Sequence, residues 1–92
     1  MASGVIKQPR DLVVEYRSLT TDNYGIAWLG AKQGYKLIAG HMFSSSGTWL
    51  DCIVSTYYQN NIEQYGVHAM TSETGDPVTN STDTWELVWI KL

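Results

Sequence analysis

The last nine residues of the chain place the strongest constraint on its fold. They read Thr-Trp-Glu-Leu-Val-Trp-Ile-Lys-Leu, and only Glu86 and Lys91 are charged. A period of two puts Trp85, Leu87 and Trp89 on one side and Val88, Ile90 and Leu92 on the other. Each tryptophan left in water would forgo roughly 4 to 6 kcal/mol of burial as an upper bound. This segment is therefore predicted to be a strand buried on both faces, in the core or at an interface between copies.

Length, charge and cysteine content exclude several classes of protein. A chain of 92 residues is expected to form one domain. The net charge of −3 argues against a nucleic-acid partner, because phosphate binding needs clustered cations. The single Cys52 allows no internal disulfide. Neither a signal peptide nor a membrane-spanning run is recognisable, so we expect folding in a reducing cytoplasm and no membrane insertion.

The rest of the chain repeats short alternating segments separated by turn residues. Strands are predicted over 11–18, 24–30, 35–43, 48–58, 64–72 and 84–92. Asn60 and Asn61 are expected to turn the chain in a left-handed backbone conformation. Six to seven strands without a helical period predict an all-β fold, an antiparallel β-sandwich of jelly-roll type. Residues 1–10 are interpreted as an extended N-terminal arm and residues 11–92 as the single domain.

Several predicted strands are apolar on both faces, which is more than a small monomeric sandwich requires. The surplus predicts a homo-oligomer, most simply a trimer, in which outer faces of neighbouring subunits meet. The expected interface residues are Trp28, Trp85, Leu87 and Trp89. The alternative is that these side chains belong to a core and that the remaining exposed apolar residues are ordinary surface.

Polar and aromatic residues cluster around the hairpin predicted near residue 60. They are Trp49, Tyr57, Tyr58, Asn60, Asn61 and Tyr65. Aromatic rings stack on the apolar faces of sugars, and Asn amides both donate to and accept from hydroxyls. These residues therefore form a candidate glycan site. Strand packing also favours Tyr and Trp, so a purely structural role is an open alternative.

Residues suited to catalysis or metal binding lack a recognisable pattern. His41 and His68 lie on different strands without a ligand motif, and no cofactor or metal is expected. Cys52 alternates with Leu50 and Val54 on a predicted core face, where a thiol behaves as a small hydrophobe. Asp51, Glu63 and Glu73 do not single out a carboxylate pair. The expectation is a protein that is not an enzyme.

Two further segments are informative, namely Gly34-Tyr35-Lys36-Leu37-Ile38-Ala39-Gly40 and the closing Leu87-Val88-Trp89-Ile90-Lys91. They resemble segments of phage tail-fibre and minor structural proteins of virions. The resemblance implies the β-sandwich head of a homotrimeric fibre that binds host surface glycans. It also implies assembly in the host cytoplasm without a signal peptide, and localisation to the virion. No ligand-contacting residue follows from it.

The chain departs from that family because only about thirty residues precede Gly34, too few for a stalk. This argues against a tail-fibre tip and leaves a short head fibre, a capsid decoration protein and an excised head domain open. Residues 1–10 are expected to dock onto other virion proteins. A standalone carbohydrate-binding module or lectin is the alternative from another class. A small hydrolase built on the same fold is a third.

Overall fold

A computed structural model describes residues 11–43 and 50–92 of the chain. They form six strands: β1 (Leu12–Thr20), β2 (Ile26–Gly30), β3 (Tyr35–Phe43), β4 (Leu50–Gln59), β5 (Ile62–Thr71) and β6 (Thr82–Lys91). The predicted N-terminal arm, the loop at residues 44–47 and Trp49 lie outside the described residues. Each of the six predicted strands has an observed counterpart, and the prediction of an all-β fold is confirmed.

The strands form two antiparallel sheets of three. One has the order β1-β6-β3 and the other the order β2-β5-β4, so β6 and β5 are the central strands. Nine successive residue pairs join β1 to β6 without a bulge, from Leu12 opposite Ile90 to Thr20 opposite Thr82. Ten pairs join β4 to β5. Both sheets turn one face towards a shared cluster of buried side chains, which gives a sandwich-like arrangement.

The central strands supply most of that core. Trp85, Leu87 and Trp89 of β6 are each at most 1% exposed. Tyr65, Val67 and Ala69 occupy the equivalent face of β5 and are at most 2% exposed. The rings of Tyr65 and Trp89 meet edge to face across the two sheets, with their centroids 5.6 Å apart. The expected alternation in β6 is therefore present, but its second face is half-buried rather than buried.

A bulge in β3 overturns the predicted faces of that strand. Strict alternation along residues 35–43 predicts that Ala39 and Phe43 share the face of Leu37, whereas Ala39 and Phe43 are exposed and Met42 is buried. The register with β6 shifts between Leu37 and Ala39, which inserts one extra residue at Ile38. Because an extra residue reverses the alternation, every side chain after the bulge points to the face opposite to the predicted one.

The first strand turns its more polar side inward. Leu12, Val14 and Tyr16 are 41%, 53% and 62% exposed, respectively. Val13 and Leu19, on the other side, pack against the core. Glu15 and Arg17 share this inward side with Val13, since side chains alternate along a strand. Hydrophobic pattern alone would have favoured the opposite orientation.

A partly buried hydrogen bond accounts for the inward position of Glu15. Its Oε1 accepts the indole N–H of Trp89 at 3.0 Å. The Arg17 guanidinium also donates to both carboxylate oxygens, at 2.9 and 3.0 Å. These bonds, led by the one from Arg17, hold the pKa of Glu15 below its ordinary value, although partial burial opposes the shift. The sheet thus gives a large core side chain an acceptor for its polar edge.

Replacing Trp89 by alanine is expected to lower the free energy of unfolding by about 3–5 kcal/mol, because it opens a large cavity in the core. Trp28 is 48% exposed and serves as the matched control. Its replacement by alanine should cost less than half as much, as measured by urea unfolding of both variants. Equal losses would contradict the assignment of Trp89 to the core.

Candidate functional site

The predicted glycan residues lie around a tight hairpin turn but do not all face one site. Asn60 and Asn61 have φ values of 53° and 63°, which confirms the left-handed turn and matches the type I′ geometry of two-residue hairpins. Tyr57 and Tyr58 are adjacent on β4 and so point to opposite faces of the sheet. Tyr58 is 71% exposed, whereas Tyr65 is only 2% exposed and cannot offer its ring face to a ligand.

The structure instead forms a cleft next to this turn, of about 670 Å³. One wall is the β2–β3 turn, residues 31–35, and the other consists of Asn61, Ile62, Glu63 and Tyr65, with Leu92 alongside. The volume falls in the range of about 300–1,000 Å³ that is usual for small-molecule sites. Of the predicted ligand residues, Asn61 and Tyr65 line this cleft.

Opposite charges occupy the two walls of the cleft. The Lys32 ammonium lies 5.4 Å from the ring centroid of Tyr35 and 5.7 Å from that of Trp89, so two cation–π contacts hold it in place. Glu63 is on the other wall. Burial raises the pKa of Tyr65, and the charge of Glu63 and a hydrogen bond with it raise that pKa further. Tyr65 therefore stays protonated at neutral pH.

Hydrogen-bonding groups of both kinds line the cleft. Gln33 and Asn61 each offer an amide that donates and accepts, Lys32 only donates, and Glu63 only accepts. Such a set suits a ligand with many hydroxyl groups. Lys32, Gln33, Tyr35 and Glu63 were not predicted as site residues. Nothing in their sequence spacing marks them, because only the sheet order brings the β2–β3 turn beside the start of β5.

A second surface feature is an apolar area on the outer face of the β1-β6-β3 sheet. We call it the outer strip, formed by Leu12, Val14, Ile38, Val88 and Ile90. Leu12 lies opposite Ile90, and Val14 lies opposite Val88. Exposed Ile38 is at the bulge of β3, beside Val88.

The other half of that outer face is polar and aromatic. The Tyr16 hydroxyl donates to Glu86 at 2.9 Å, and its ring stacks 6.2 Å from that of Phe43. His41 meets Phe43 edge to face at 5.1 Å. The apolar part of the face is therefore confined to the outer strip.

Three of the four predicted interface residues need correction. Trp85, Leu87 and Trp89 lie in the core of a single chain, where the second sheet covers them, so they cannot form a contact surface for another copy. Trp28 is half-exposed on the outer face of the other sheet. Its ring meets that of Tyr57 edge to face at 5.1 Å and lies so close to Gly66 that a Cβ there would be 2.6 Å from the ring.

Asp51 and Glu63, two of the three carboxylates considered for catalysis, lie far apart. Cys52 packs against the core as expected, and burial raises the pKa of its thiol. Asp51 pairs with Met70 and Glu63 with Tyr58, which separates the two carboxylates by seven residues of β5, or roughly 23 Å. Glycosidase carboxylates lie within about 10 Å of each other. These two side chains therefore cannot act as a pair.

The described residues contain no group of three or more metal-binding side chains close enough to hold a metal ion. His41 pairs with Glu86 on the outer face of one sheet, and His68 lies on the outer face of the other. Within residues 11–43 and 50–92 there is also no helix that could span a membrane. Comparisons with protein-family models, curated proteins and solved structures find no match to this chain.

We expect Cys52 to react with iodoacetamide on the order of tenfold more slowly at pH 8 in the folded protein than in urea, because burial disfavours its thiolate. Mass spectrometry of timed samples gives both rates. A folded-state rate equal to or above that of the unfolded chain would restore Cys52 as a candidate nucleophile.

Proposed function

We propose that this protein is a non-enzymatic structural component of a phage virion, a fibre head or decoration domain that assembles with copies of itself and binds carbohydrate. The observation that carries the proposal is the outer strip. Leu12, Val14 and Ile38 are 41%, 53% and 47% exposed in the single chain. Each such side chain that a second copy covers gains roughly 1 kcal/mol from burial.

The orientation of β1 favours a second copy as the occupant of the outer strip. A one-residue change in its pairing would turn Leu12, Val14 and Tyr16 inward and expose Glu15 and Arg17. The chain instead keeps its more apolar side outward, which is unfavourable for an isolated subunit. Contact with another copy removes this penalty, because it covers the apolar side chains of the outer strip, while Lys36, opposite Ile90 on the same face, borders the strip.

The edge of the sheet provides further support. β1 lies at one end of the β1-β6-β3 sheet and extends over nine residues with no bulge and no proline. Proteins commonly protect an exposed edge of this length with a bulge, a proline or inward-pointing charges, and of these β1 carries only the charged pair Glu15 and Arg17 on its inner side. β3, at the other edge, carries such a bulge. We infer that β1 lies within the assembly and that β3 faces outward, and a trimer is the state that the resemblance to fibre heads favours.

The strand order is consistent with a jelly-roll topology. β1 pairs with β6 in one sheet and β2 with β5 in the other, so a two-stranded ribbon wraps across both sheets. β3 and β4 then join the same two central strands. This order supports a jelly roll with six strands in place of the usual eight, a fold found in viral capsid and lectin domains. The likeness is an analogy at the level of the fold and assigns no activity.

The cleft favours a second candidate function, a standalone carbohydrate-binding module. Its amides, its charged pair and its volume do not depend on another copy. A monomer that binds saccharide would support this alternative over a virion component.

The substitution Val14→Lys tests the assembly. We expect the unmodified chain to be oligomeric by light scattering coupled to size exclusion, and the variant to associate on the order of a hundredfold more weakly, because an unpaired buried charge costs about 3 kcal/mol. Ser18→Lys, on the same strand and face but outside the outer strip, is the matched control and should retain the mass of the unmodified chain.

A dilution series of the unmodified protein decides the proposal. A constant monomer mass at every concentration would contradict self-assembly. Equal weakening by Val14→Lys and Ser18→Lys would show that the outer strip is not the contact surface.

A further inference from the structure

We propose that the cleft between the β2–β3 turn and the β4–β5 turn binds a short neutral oligosaccharide. This proposal rests on the carbohydrate-binding part of the proposed function. The inference adds a narrower ligand class, neutral saccharides, to that function. Residues from two distant parts of the chain, Lys32 and Gln33 on one side and Asn61 and Glu63 on the other, come together there.

The charge of the lining decides between neutral and charged ligands. Lys32 attracts a carboxylate or sulfate group and Glu63 repels it, and the reverse holds for an ammonium group, so a ligand with a single charge gains no net attraction from the pair. The Lys32 ammonium lies 5.4 and 5.7 Å from the centroids of the Tyr35 and Trp89 rings, and these cation–π contacts favour its position at the cleft. With one charge of each sign in its lining, the cleft favours a neutral molecule that both donates and accepts hydrogen bonds.

The apolar part of the lining fits the flat faces of sugar rings. Ile62 is 55% exposed at the cleft wall. Tyr58 is 71% exposed and pairs with Glu63 across the hairpin, which places a free aromatic ring beside the cleft. Pyranose rings combine an apolar face with a rim of hydroxyls, so such a ring can contact this surface while its hydroxyls reach the amides of Gln33 and Asn61.

The turn itself offers a matched pair of variants. Asn60 and Asn61 both have positive φ, so glycine is compatible with either position and preserves the type I′ turn. Only Asn61 lines the cleft. Asn61→Gly therefore removes a contact amide, and Asn60→Gly removes a neighbouring amide that does not contribute to the cleft.

The experiment titrates the full chain by NMR with neutral trisaccharides of glucose, galactose, mannose and N-acetylglucosamine, and with uronic acid trisaccharides of equal length. We expect at least one neutral trisaccharide to bind, and the acidic ones to bind at least about tenfold more weakly. Asn61→Gly should weaken neutral binding about tenfold, as expected for one lost hydrogen bond, and Asn60→Gly should leave it unchanged.

Glu63→Gln provides a readout that a purely structural role would not produce. The introduced amide oxygen would still accept the hydrogen bond from Tyr65 but would no longer repel anions, so the preference for neutral over acidic trisaccharides should fall. The absence of binding by all neutral trisaccharides, a preference for the acidic ones, or equal losses in Asn60→Gly and Asn61→Gly would overturn the proposal. Light scattering on the same samples separates binding from assembly. A monomer that binds a neutral trisaccharide would contradict the assembled fibre head but not the cleft. An oligomer that binds none would contradict the cleft but not the assembly.

Discussion

The contacts of Trp89 determine how the two sheets fit together. Its ring meets Tyr65 edge to face across the core, and its indole N–H donates to Glu15 on the neighbouring strand. A buried indole donor without an acceptor costs about 1–3 kcal/mol. Trp85 shows the contrast, because its Nε1 is buried without a partner among the described residues. Trp89 is thus the core tryptophan whose polar edge has a partner, and that partner determines the orientation of β1.

The outer surface depends on this arrangement. Since Glu15 points inward, alternation turns Leu12 and Val14 outward, where they meet Val88 and Ile90 of β6. The Glu15–Trp89 hydrogen bond offsets part of the cost of leaving this apolar side of β1 exposed in a single chain. The same tryptophan also supports the cleft, because Lys32 lies over its ring and at the same time lowers the pKa of Glu15 electrostatically. The core contact with Tyr65, the inward position of Glu15 and the placement of Lys32 therefore all involve Trp89.

Sequence reasoning succeeded where the signal was local. Alternation in β6 predicted which side chains share a face, and the paired asparagines at 60 and 61 predicted a left-handed turn that the backbone adopts. It failed where a single extra residue reverses the rest of a strand. The bulge at Ile38 has no mark in the sequence, yet it exchanges the faces of Ala39, Met42 and Phe43. Likewise, no local pattern predicts that Glu15 would be turned inward, because its partner is 74 residues away.

The candidate site was predictable only in part for the same reason. Asn61 was singled out from its turn, but the facing wall comes from residues 31–35, which become neighbours only through the order of β2, β5 and β4. The prediction of an interface role was wrong for Trp85, Leu87 and Trp89, because the second sheet of the same chain covers these side chains. Periodicity gives the face on which a side chain lies, and the sheet order decides what covers that face.

The most direct test is an NMR pH titration that follows the indole N–H signal of Trp89. The absence of that signal from the spectrum of Trp89→Phe identifies it. The hydrogen bonds from Arg17 and Trp89 favour the charged form of Glu15, so its pKa lies below the ordinary 4.5. These bonds therefore stabilise the fold above pH 4.5, and their contribution is lost as the pH falls through the lowered pKa of Glu15. We expect the Trp89 signal to shift with a midpoint below 4.5 and to lose this response in Glu15→Gln. A signal that does not respond to pH, or a midpoint at or above 4.5, would contradict the account.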